Sequence, residues 1–206
     1  MSFNLIIIIW KSQYLSTYLL TNMTTGQYIS KLSEERRFSQ SDVARQTGLS
    51  RQIISYIISG KRELTLQQAL RLESLFNLKQ GTLVRMQDDE RIHRHIESIR
   101  KSLCTKLLDN KTFLSYSDVT EETISDGDLI EKTFIHLDMD DIKLLFELFP
   151  MRFVRRVWED RMAGQGAYLY SLNMMIAQYY FNIRNPKAFL HKKELEQVKK
   201  MQEDGI

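Results

Sequence analysis

The stretch that most constrains this chain is residues 38–60, F-S-Q-S-D-V-A-R-Q-T-G-L-S-R-Q-I-I-S-Y-I-I-S-G. Its caps and apolar spacing predict two short helices joined by a tight turn. Ser39 suits an N-cap, because its hydroxyl can take the orphan amides of the first turn. Val43, Ala44 and Thr47 form a short inward face, and Ala44 is small enough to let a second helix cross close by. Gly48 stands where the chain must leave the first helix, a position that favours positive φ. Leu49 plugs the corner and Ser50 caps the second helix. There Ile54, Ile57 and Ile58 recur at i, i+3, i+4 and must face a core. Arg51, Gln52, Ser55 and Tyr56 are left on the opposite side, and Gly60 ends the helix.

The chemistry of that outward face points to nucleic acid. Arginine can donate two hydrogen bonds to guanine O6 and N7, and glutamine can pair with adenine N6 and N7. A helix entering the major groove places its N-terminal side chains against base edges, which is where Arg51 and Gln52 stand. Lys61 and Arg62, just past the helix, suit phosphate, as does Gln40 at the start of the first helix. The spacing alone fits an ordinary helical hairpin with a solvated polar face equally well. The conjunction of cap, small residue, turn glycine, apolar plug and polar readers in one window favours a reader of double-stranded DNA.

Residues 24 to about 86 resemble the Cro/phage-repressor (Xre-type) helix-turn-helix domain. The resemblance is carried by S-Q-x-x-V-A-x-x-x-G-L-S, the exit S-G-K-R and the following T-L-x-x-A-L-R-L. It implies five helices, near 25–36, 40–47, 51–59, 66–76 and 80–86. It also implies that Arg51, Gln52 and Tyr56 face bases, while Gln40, Ser59 and Lys61 meet the DNA backbone. Ser55, on the same outward face of the helix, joins the base-reading set. Ser50 and Arg62 complete the phosphate-facing set. Readers of this family bind two-fold operators as dimers, so a homodimer is implied.

The rest of the chain extends an all-α reading. Two prolines and eight glycines in 206 residues, among many Leu, Ile, Glu, Lys and Arg, favour helix throughout. The expected architecture is a five-helix repressor-like DNA-binding domain plus a second helical domain. Its parts are an extension at 1–22, the reader at 23–87, a connecting helix and linker at 88–124, and a helical domain at 125–206. A single cysteine, Cys104, makes no internal disulfide and suits a reducing cytoplasm. Net charge +3 conceals an asymmetry. Residues 23–86 carry ten basic and five acidic side chains, whereas residues 109–147 carry three and eleven. Only the first balance suits a polyanion.

Residues 1–22 hold an apolar burst from Leu5 to Trp10 that is too short to span a membrane, and they lack the plan of a signal peptide. Met23 precedes the first reader helix, and we expect it to be the native initiator. After the reader, Ile92, Ile96, Ile99 and Leu103 recur at spacings of 4, 3 and 4. That repeat fits a coiled-coil seam or an ordinary connecting helix packed on its own domain. Phe113, Leu114 and Tyr116 in the polar stretch 109–124 suggest that it docks on the fold.

Helices are expected near 126–137, 139–148, 151–163, 168–182 and 187–202, with Asp138 as a cap and Pro150 at a first helical position. Leu144, Leu145, Leu148, Phe149, Phe153, Val157 and Trp158 supply an apolar core. Leu172, Met175, Ile176, Tyr179 and Tyr180 form a wide face. Residues 110–190 resemble a bacterial helical domain of unknown function found beside nucleotidyltransferase-type toxins. The resemblance is carried by L-I-E-K-T-F-I-H-L-D-M-D-D-I-K-L-L-F-E-L-F-P, V-W-E-D-R-M, S-L-N-M-M-I-A and N-P-K-A-F-L. It implies an antitoxin-like protein that holds a toxin partner.

No catalytic motif is present, and no metal or cofactor is expected. His93 and His95, two apart, point away from each other on a helix, and no H-E-x-x-H, C-x-x-C, P-loop or G-x-G-x-x-G occurs. Asp138, Asp140 and Asp141 fit a helix start better than a metal site. The leading expectation is a sequence-specific repressor acting as a dimer. The alternative is an antitoxin whose DNA binding serves autoregulation.

Overall fold

A computed structural model describes residues 23–113 and 119–203, and every described element is helical. The expected extension at 1–22, together with Leu114 and Tyr116, lies outside the described residues. The helices are α1 (Thr25–Glu35), α2 (Gln40–Thr47), α3 (Arg51–Ile58), α4 (Leu66–Leu75), α5 (Thr82–Asp109), α6 (Asp126–His136), α7 (Met139–Leu148), α8 (Met151–Arg161), α9 (Tyr170–Tyr179) and α10 (Pro186–Glu203). A short 3-10 turn, Gly166–Leu169, precedes α9. The chain divides into two compact units, one ending at Arg94 and one beginning at His95.

The starts of these helices follow their capping residues. Thr24, Ser39 and Thr65 each form a reciprocal capping box, with Gln27, Asp42 and Gln68 as the returning side chains. Ser50, Ser125 and Asp138 accept from first-turn amides of α3, α6 and α7. Gly48 closes α2 at φ 67°, in the left-handed region, as its position predicts.

Two expectations are corrected. Separate helices at 80–86 and 88–108 form the single helix α5, because no glycine or proline interrupts residues 82–109 and most residues there are good helix formers. Pro150 is the N-cap of α8, with φ −57° and ψ 137°, one position before the first helical residue. The repeat on α5, which the sequence left open between a coiled-coil seam and a helix packed on its own domain, divides. Ile99 and Leu103 are buried in the second unit's core and Ile96 packs against it, while Ile92 is exposed. Burial inside its own fold explains that half of the repeat.

The first unit is built around Ile29, Val43, Ile54, Ile57, Ala69, Leu72, Phe76 and Leu83, all nearly or fully buried. Each large aliphatic side chain so buried contributes about 1.5–3 kcal/mol. The second unit's core draws Leu103, Cys104 and Leu107 from α5, Leu129, Ile130 and Phe134 from α6, Leu145 from α7, Trp158 from α8 and Ile176 from α9. Trp158 Nε1 donates to Asn173 Oδ1 at 2.8 Å, and Asn173 Nδ2 donates to the Met162 carbonyl at 2.8 Å. That pair satisfies the polar atoms which burying a tryptophan would otherwise leave unbonded. Phe113 packs against this core from the polar stretch, as its sequence suggests. Cys104 is fully buried, and burial raises its thiol above the ordinary range, so it behaves as a small apolar residue.

Candidate nucleic-acid interface

Helix α3 is amphipathic in a way that fixes which side it offers. Ile54 and Ile57 are buried, and Leu49, Ile53 and Ile58 pack partly against the same core. Arg51, Gln52 and Tyr56 are exposed, while Ser55, expected beside them, is half-buried. Ser50 both caps α3, accepting from the Ile53 amide, and stands exposed at its start. Ser59, Lys61 and Arg62 are exposed just past the helix, and Gln40 is half-buried at the first position of α2. One turn apart on α3, Gln52 Nε2 donates to Tyr56 Oη at 2.9 Å.

The charges differ in how they are engaged. Arg45 on α2 pairs with Asp42 at 2.7 Å. Asp42 is in turn held below the usual carboxylate range, chiefly by the Ser39 hydroxyl and then by its backbone amide. Arg51, Lys61 and Arg62 meet no acidic side chain among the described residues. Cations without an acidic partner among the described residues, beside exposed polar side chains, suit a polyanion, since neutralised phosphates release counterions.

Several residues that sequence reasoning did not single out hold α3 in place. Gly26 of α1 lies where a Cβ would stand 2.5 Å from the Ile57 carbonyl oxygen and 2.7 Å from that of Ile58. An isolated glycine inside a helix was the available signal, since it often marks a close backbone approach. Arg71 of α4 donates to the Thr47 carbonyl at 3.2 Å, tying off the end of α2 beside Gly48. Buried Glu73 accepts from the Gly81 and Leu83 amides at 2.8 and 2.7 Å, fixing the start of α5. Gln87 grips Leu64 at both backbone groups, accepting from its amide at 2.6 Å and donating to its carbonyl at 3.1 Å. That clamp anchors the exit loop that carries Lys61 and Arg62. Farther along α5, Glu90 accepts from both the amide and the hydroxyl of Thr25.

The acidic cluster of the second unit is used locally. Asp138 accepts from the Asp140 and Asp141 amides at 2.9 Å, Asp140 pairs with Lys143, and buried Asp141 pairs with Lys106. Among the described residues no group of His, Cys, Asp and Glu is placed to hold a metal ion, and no helix is long and apolar enough to cross a membrane.

No curated protein and no solved structure matches the chain. A family model described as Helix-turn-helix matches residues 29–79, from within α1 to the loop after α4. The N-terminal unit therefore carries a helix-turn-helix domain, the DNA-binding module of transcriptional regulators.

Proposed function

We propose that the chain is a sequence-specific repressor that binds double-stranded DNA as a dimer, with α3 in the major groove. Arg51, Gln52, Ser55 and Tyr56 read base edges. Gln40, Ser50, Ser59, Lys61 and Arg62 hold the phosphates on either side. The observation that carries this reading is the division of α3, whose Ile54 and Ile57 are buried while Arg51, Gln52 and Tyr56 remain in solvent. Half-buried Ser55 reaches a base only across a close approach, so its share of the readout is the smallest.

The test is a footprint on DNA from upstream of the chain's own coding sequence. Two protected half-sites about 34–36 Å apart, centre to centre, support a dimer on a two-fold operator. A single half-site, or protection spread over every sequence offered, counts against it.

A second reading makes the protein antitoxin-like, with the second unit holding a toxin and the first repressing the shared operon. It rests on the resemblance of the C-terminal residues. The exposed Leu195, Val198 and Met201 on α10 supply apolar surface that such a partner would cover. Stoichiometric co-purification of a second protein from the native host separates this reading from the first.

A further inference from the structure

A glutamine on an exposed helix face has three free torsions and samples many directions, so an unaided Gln52 would be a weak reader of any one base. Here it is held. Its Nε2 donates at 2.9 Å to Oη of Tyr56, one turn farther along α3. Tyrosine turns about only two side-chain torsions, and Tyr56 is 40% exposed, so its hydroxyl is a comparatively stiff anchor beside the groove-facing surface.

With one amide proton engaged, Gln52 still offers Oε1 and its second N–H. Exchanging the amide oxygen and nitrogen leaves the same kind of edge open, because a phenolic hydroxyl can donate as well as accept. One acceptor beside one donor is the complement of adenine, which presents the N6 amino group beside N7. Guanine presents two acceptors in the same place, cytosine a single donor, and thymine one acceptor beside a methyl group. Only adenine answers both atoms of the held amide.

We propose that Tyr56 is a positioning residue for Gln52, and that through this hydrogen bond it fixes adenine at the base pair Gln52 faces. The proposal rests on α3 being the base-reading helix. It assigns Tyr56 an effect on the base read by another residue, beyond any contact of its own, and preorganisation of this kind adds selectivity without adding contacts.

The test is selection of duplexes from a randomised pool by the full chain, as wild type, Gln52→Ala and Tyr56→Phe, followed by sequencing. Melting curves by circular dichroism establish that both exposed-face variants are folded. The expected result is a wild-type motif containing an adenine that Gln52→Ala no longer specifies. Tyr56→Phe should reduce preference for that same adenine about tenfold and, apart from any base that Tyr56 itself contacts, leave the other positions as they were. If Tyr56→Phe keeps the adenine preference, alters only a different position, or weakens all positions alike, the positioning role is overturned. If the wild type enriches no motif, the base-reading role of α3 fails, and this proposal fails with it.

Discussion

Gly26 and Ile57 are in backbone contact: a Cβ on Gly26 would stand 2.5 Å from the Ile57 carbonyl oxygen. Helix α1 thus sets the position of α3 through bare backbone, with no side chain that could adjust. Gly26→Ala must push α3 away. The expected cost is about 1–3 kcal/mol, the usual range for overpacking, read as a lower urea midpoint with an unchanged slope. DNA affinity should fall alongside it. A variant as stable as wild type would contradict the contact.

The two faces of α3 should respond to alanine in opposite ways. Ile54 is fully buried, so Ile54→Ala should cost about 2–5 kcal/mol in equilibrium unfolding. Gln52→Ala, on the solvent side, should stay within about 0.5 kcal/mol. Equal losses would mean that the burial of α3 has been assigned to the wrong face.

Glu73→Ala should destabilise the first unit by more than its exposed neighbours do. Its carboxylate serves the Gly81 and Leu83 amides, and an amide left buried and unbonded costs about 1–3 kcal/mol. Hydrogen exchange should show those two amides losing protection first. Protection retained at both would refute the assignment.

Acid should unfold the protein through its engaged carboxylates. The Arg91 guanidinium holds Glu63 below its ordinary 4.5, with Arg94 contributing, and the Ser39 hydroxyl holds Asp42 below 3.8. Burial opposes ionisation of Asp128, but Ser125 and Arg161 outweigh it and hold that carboxyl low as well. A group lowered on folding adds stability above its unfolded value and loses it as pH falls through the folded value. The melting temperature should therefore be insensitive to these groups at neutral pH and drop once pH falls below about 4.5, the highest of their ordinary values. A melting temperature that rises on acidification below that point would contradict the ion pairs.

What the sequence revealed was mostly local. Ser39, Ser50 and Asp138 are caps, Gly48 is the left-handed stop, and the isoleucines of α3 are its buried face, each read from spacing within one turn of helix. What escaped needs contacts between residues far apart in the chain. Gln87 clamping Leu64, Arg71 reaching Thr47 and Gly26 touching Ile57 carry no local mark except the unexplained glycine. The repeat at Ile96, Ile99 and Leu103 was ambiguous for the same reason. Spacing reports that a face is apolar, whereas only the packing shows that the second unit's own helices cover it.

The most direct measurement is fluorescence anisotropy of the full chain on its own upstream DNA and on scrambled DNA, across a salt series, for wild type and Arg51→Ala. As a base reader, Arg51 should lose about 1–3 kcal/mol on the specific duplex when truncated and little on the scrambled one. Equal affinity for both duplexes, unchanged by the substitution, would reduce α3 to a basic surface without readout and contradict the account.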